Sequence, residues 1–180
     1  MNEVSFGNKF AINCNSNSYS IYIELERTLL EDLKTSYEKD KCIGDELLES
    51  LHFVYKSPLL EALNQIDKNE KENIEEISNV NQNSKCLVMQ IKCEKSSTTS
   101  NVDPDLPHLY QVKGSLGINY YLFENVNYCS CSSFKFNIFH KFNTVYCKHM
   151  ILIKILGAMN KIPVKYVKEN EFIELIKQIQ

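Results

Sequence analysis

Several absences narrow what this 180-residue chain is. No apolar run approaches the 18 or more residues of a membrane span, and no secretory signal opens the chain, so neither membrane insertion nor export is expected. Cysteines are of the wrong number for disulfides: there are seven, an odd count, and three of the thiols lie two residues from another cysteine or a histidine. That usage points to a reducing compartment, nucleus or cytosol, and to metal rather than disulfide chemistry. The most local absence is of negative charge. Residues 125–168 hold seven lysines and no acid, whereas residues 1–124 hold 12 basic and 20 acidic side chains, so a net charge of −3 conceals an acidic front and a basic back half. The lysines fit a solvated, charge-balancing surface or a phosphate-contacting one.

What the back half does contain is Cys129, Cys131, Cys147 and His149, in the pattern C-x-C-x15-C-x-H. Three thiolates and one imidazole complete a tetrahedral zinc shell. Cys129 and Cys131, two apart, leave an extended segment on one side. Cys147 and His149 cannot converge within a helix, where i and i+2 diverge. They converge only across a helix start, and the apolar run Met150–Leu156 supplies one whose positive end favours thiolate. Two other readings compete. The cysteines are scattered core thiols, or Cys147 is a nucleophile with His149 as its base, although no third orienting residue stands out. His140, inside the spacer, is a substitute ligand or an exposed loop histidine. With four protein ligands the metal has no open position for water, which argues against an enzyme.

This spacing resembles the SWIM zinc finger, and the match runs from Gln111 to Gly157. The resemblance implies a small ββα zinc fold that binds DNA or protein, with Zn2+ held structurally by Cys129, Cys131, Cys147 and His149.

Upstream, apolar residues at three- and four-residue steps, Tyr22, Leu25, Leu29, Leu33 and Tyr37, predict a helix over 20–38 after a loose N-terminus, residues 1–19. Asp45–Tyr55 reads as a second helix, with His52 packed or half-exposed. Ser57-Pro58 reads as the start of a third that ends near Ile66 or Asp67. Leu25, Leu29, Leu33, Leu47 and Leu51 are candidate partner contacts on the 20–67 region; an ordinary core is the alternative. Residues 68–84 are polar and read as a loop, or as an extension of the third helix into solvent.

In the region 85–160, Lys85–Cys93 alternates as a strand. Cys86 and Cys93 fall on its opposite faces and cannot share a metal. Glu94–Pro107 is a loop. Leu109–Lys113 and Ile118–Phe123 flank Gly114–Gly117 as a hairpin. The spacer rings Phe134, Phe136, Phe139 and Phe142 either pack under the finger or, interleaved with lysines, stack on single-stranded bases at about 1–3 kcal/mol each. Lys135, Lys141, Lys148 and Lys154 are the candidate nucleic-acid contacts. Val145–Met159 is the finger helix, and 161–180 carries a last helix over Glu169–Ile179. The expected class is α+β: a helical segment, then a small sheet and a ββα finger.

The order of these parts, with D-E-L-L-E-S-L-H-F, S-P-L-L-E-A-L-N-Q-I-D, Y-Q-V-K-G-S, C-S-C-S-S-F-K-F and C-K-H-M, resembles the SWIM-domain subunits of Shu complexes over Ile23–Asp67 and Leu109–Gly157. The polar stretch 68–84 departs from that pattern. The resemblance implies a nuclear, non-enzymatic recombination accessory protein. It would form a heterodimer with a RecA-like ATPase-fold subunit and support recombinase filaments on single-stranded or forked DNA, met directly or through the partner. The alternative is a stand-alone SWIM module that binds DNA or serves as a protein adaptor.

Overall fold

The computed structural model describes residues 16–76, 86–94, 109–114, 117–123, 126–141, 144–177 and 179. Three helices come first: α1 (Ser16–Asp40), α2 (Asp45–Tyr55) and α3 (Ser57–Glu76). Then follow strands β1 (Val88–Cys93), β2 (Leu109–Lys113) and β3 (Asn119–Phe123), a π-helical segment (Phe134–His140), α4 (Lys148–Ala158), β4 (Val164–Val167) and α5 (Glu169–Lys177). The class is α+β, as expected.

The sheet has order β3-β2-β1-β4, with β4 parallel to β1 and the other pairs antiparallel. Side chains alternate across it, so two faces form from the same strands. The paired Val88 and Val112, with Leu122, face the helices. The paired Ile91 and Leu109, with Tyr121 and Val167, face α5, whose Phe172 closes that side. Both faces being covered explains why β1 is apolar on each side. On the helical side α4 is central. Its Met150, Ile151, Leu152, Ile155 and Leu156 are all buried, and it packs against α1, α3 and β1. A helix that is apolar all round belongs inside.

Several expectations are corrected. Helix α1 begins at Ser16, inside the stretch read as a loose N-terminus; residues 1–15 lie outside the described ones. Helix α3 does not end near Asp67 but runs to Glu76, so of the two readings of the polar stretch the helical extension holds over 68–76, where Lys161 pairs with Glu70 at 2.5 Å; 77–85 and 95–108 lie outside the described residues. The finger helix begins at Lys148 rather than Val145, with Cys147 in extended conformation at its N-cap. The spacer is not only packed rings but a helical turn in which Lys141 N–H reaches the Phe136 carbonyl, five residues back, at 3.1 Å. The C-terminal region contains β4 as well as a helix.

Leu29, Leu33 and Leu51 are corrected too. They are buried in the chain's own core, because α1 packs on α2 and α4 and α2 packs on α1 and α3, and Leu47 is half-buried beside them. Of the five leucines Leu25 alone is exposed, and it continues outward to Ile21 and Ile23. His52 is exposed.

Candidate metal centre

Two local devices position the four ligands, one for each pair. The β2–β3 hairpin delivers the first pair. Its turn closes with the Gly114 N–H bonded to the Ile118 carbonyl at 2.8 Å, and Gly117 takes φ +75°, a region that suits glycine. Beyond β3 the chain doubles back along the outer edge of that strand. Ser130, between the two cysteines, accepts the Tyr121 N–H on its hydroxyl at 3.1 Å and donates its own N–H to the Tyr121 carbonyl at 3.3 Å. Gripping the middle residue this way sends Cys129 and Cys131 to one side. Cys147, extended at the N-cap, and His149, in the first turn of α4, converge across the helix start.

The result is one buried cluster. The ligand atoms of Cys129, Cys131, Cys147 and His149 all lie within 4.8 Å of one another. Tetrahedral zinc–thiolate bonds of about 2.3 Å imply sulfur separations of roughly 3.8 Å, so the donors are within about 1 Å of a closed shell. His149 lies flat against Tyr120, ring centroids 4.4 Å apart. Its Nδ1 is 3.7 Å from Cys129 Sγ, and its Nε2 is buried with no hydrogen-bond partner. The imidazole thus presents a nitrogen to the sulfurs, and three buried thiol groups with one buried imidazole, all within 4.8 Å, are the donor set of a tetrahedral zinc shell. The residues therefore fit zinc.

The three sulfurs also shift one another's proton affinity. Hydrogen bonds from Cys129 and then Cys147 hold Cys131 well below the ordinary thiol range. The Phe134 N–H, 3.2 Å from Cys131 Sγ, adds to this. Cys129 is driven far up, first by donating to Cys131. Cys147 also ends high: its bond with Cys129 favours the thiolate, but Cys131 and burial outweigh it. A divalent ion bound by these groups would stabilise all three as thiolates.

The remaining candidates divide. His140 is exposed and outside the cluster. Cys86 and Cys93 are half-buried and also outside it, as is the exposed Cys42. Lys135 and Lys141 are exposed, with the Lys141 ammonium 4.4 Å above the Phe136 ring. Lys148 pairs with Glu61 at 3.4 Å, and Lys154 with Glu26 at 3.2 Å. Phe134 is buried, whereas Phe136 is 54 % exposed. The Phe139 side chain and Phe142 lie outside the described residues.

Sequence reasoning missed Glu26 and Tyr120. Glu26 is buried, and its carboxylate accepts the hydroxyls of Tyr55 and Tyr146, each at 2.9 Å. It looked like one of the solvent-facing acids of α1, and nothing local marks it. Tyr120 carries no signal beyond being a strand aromatic.

Three proteins bear on the identity. The chain is 26 % identical to Zinc finger SWIM domain-containing protein 7 of Mus musculus, over 86 % of this chain and 84 % of that protein. It is 24 % identical to the protein of that name from Danio rerio, over 88 % and 94 %. The chain is similar to SWIM-type zinc finger proteins over most of its length. A Dictyostelium discoideum homolog of the same name is 26 % identical over 84 % of this chain and 82 % of its own length. These alignments run far beyond the finger and cover most of the chain. No family model matches the sequence, and no solved structure matches it. Among the described residues no helix is long and apolar enough to cross a membrane.

Proposed function

We propose that the chain is a non-enzymatic zinc-dependent subunit of a Shu-like complex. In this reading it pairs with a RecA-like ATPase-fold chain in the nucleus and supports recombinase filament assembly on single-stranded DNA. The observation that carries the proposal is the closed, buried Cys3His cage. With Cys129, Cys131, Cys147 and His149 all engaged, zinc has no position left for substrate or water, so its work is to hold shape. Structural zinc of this type contributes roughly 10–16 kcal/mol in apparent terms.

Two surfaces support the division of labour. On α1, Ile21, Ile23 and Leu25 are exposed on a helix whose buried face is already used by the core. Ile23 borders a cleft of about 380 Å³, which Val126, Val145 and Tyr146 also line and which has Glu26 and Lys154 in its wall. Exposed apolar side chains beside a cleft suit a protein partner. On the finger, Lys135 and Lys141 have no acidic partner among the described residues and are the lysines best placed for phosphate. Lys148 and Lys154 are held by Glu61 and Glu26 and have a smaller part in that contact.

The test is co-purification of the native chain with its partners. A RecA-like ATPase-fold chain is expected to accompany it, to be lost with Ile21→Glu/Ile23→Glu while zinc is retained, and to be lost with zinc in His149→Ala. Absence of such a chain, or survival of both zinc and partner in His149→Ala, would contradict the proposal.

A further inference from the structure

We infer that Phe136, on the π-helical segment, is a base-stacking platform for single-stranded nucleic acid. The inference rests on the nucleic-acid reading above and names the residue and contact that would carry it. Of the finger's described phenylalanines, Phe134 turns inward, its ring 5.5 Å from Tyr128 in edge contact, while Phe136 stands in solvent. At 54 % exposure about half of the Phe136 surface stays in water rather than in the core.

Its surroundings are cationic. The i→i+5 turn from the Phe136 carbonyl to the Lys141 N–H brings the Lys141 ammonium over the ring at 4.4 Å. Lys135 and His140 are exposed on the same short segment, and the sequence has no acid between 125 and 168. An aromatic face for a base, flanked by ammonium groups for the adjoining phosphates, is the usual chemistry of single-strand binding. A protein-binding surface would look different. It would join several apolar side chains, as Ile21, Ile23 and Leu25 do, and its centre would be poor in lysine.

The segment is also anchored to the metal cage. The Phe134 N–H meets Cys131 Sγ at 3.2 Å, and the Lys135 N–H meets the Cys131 carbonyl at 3.3 Å. The ring is thus presented from a fixed turn, which reduces the ordering cost of binding. A single π-turn beside a ligand residue is a frequent mark of a functional position.

The experiment measures fluorescence anisotropy of a labelled oligo(dT) strand with the full-length, zinc-loaded protein. Phe136→Ala is expected to weaken binding roughly tenfold, and Phe136→Tyr to stay within about twofold, both with wild-type zinc content. Charge reversal by Lys135→Glu is expected to weaken binding and lower its salt dependence. Wild-type affinity in Phe136→Ala alongside weakened Lys135→Glu would overturn stacking and leave phosphate contact standing. No binding by the wild-type protein would overturn both. Intact oligonucleotide binding with loss of a protein partner in Phe136→Ala would reassign the ring to a protein surface.

Discussion

The carboxylate of Glu26, on α1, accepts a hydrogen bond from the Tyr146 hydroxyl at 2.9 Å, across 120 residues of chain. Tyr146 immediately precedes the ligand Cys147, so this bond ties the helical half directly to the cage. The Tyr55 hydroxyl of α2 donates to the other carboxylate oxygen, Oε1, at 2.9 Å, and the Lys154 ammonium of α4 lies 3.2 Å from that same oxygen. Removing the acid strands two hydroxyls and an ammonium. Glu26→Ala should cost about 3–5 kcal/mol, and Tyr146→Phe about 1.5–3 kcal/mol, by urea denaturation at saturating zinc. A Glu26→Ala protein as stable as wild type would show that the network is incidental.

The same network sets an alkaline limit. Burial, then the charge of Glu26, raises the Tyr55 phenol above its ordinary value of 10.0. Below about pH 10 both folded and unfolded chains hold this proton and the contribution is complete. Above it the unfolded chain releases the proton and the folded chain does not, so stability should fall by up to about 1.4 kcal/mol per pH unit. Tyr55→Phe should flatten that part of the profile. An unchanged slope in the variant would count against it.

Zinc uptake should expel protons. Cys131 is held below the ordinary thiol range, whereas Cys129 and Cys147 are raised above it. Loading the apo-protein near pH 7 should therefore release about two protons per zinc, and affinity should rise as pH rises. Calorimetry in buffers of different ionisation enthalpy reads the number directly. Release of none would mean that the thiols are already charged.

Gly114 connects the hairpin turn to the imidazole. A Cβ there would sit 2.6 Å from Tyr120 Cε2 and 3.0 Å from the Ile118 carbonyl oxygen. Tyr120 must move, and Tyr120 is the ring on which His149 lies. Gly114→Ala should destabilise by about 1–3 kcal/mol and weaken zinc retention against a chelator. By contrast Gly44, with nothing near its Cβ position, should accept alanine with zinc retention unchanged. Equal zinc retention in both variants would break the proposed link through Tyr120.

The four ligands were legible because their spacing is geometric: two residues apart is convergent on an extended segment and, across a helix start, also convergent. Helices α1, α2 and α3 were legible through their periodic leucines. The use of those leucines was not, since a stripe that faces a core and one that faces a partner have the same period. Leu29, Leu33 and Leu51 went inward, and only Leu25 remained outside. Strand β4 was invisible because it spans four residues with only Val167 buried, and its order comes from pairing with β1, more than 70 residues earlier in sequence. Glu26 was hidden for a similar reason: its partners Tyr55, Tyr146 and Lys154 come from three other parts of the chain. The π-turn depends on Cys131 gripping the Phe134 N–H, which no local propensity encodes.

The account turns on one metal ion bound by Cys129, Cys131, Cys147 and His149. X-ray absorption at the zinc edge of the purified, folded protein is the most direct measurement. The predicted result is one zinc per chain with three sulfurs at about 2.3 Å and one nitrogen at about 2.0–2.1 Å. A folded protein without zinc, or zinc in a shell of oxygen and nitrogen alone, would contradict it.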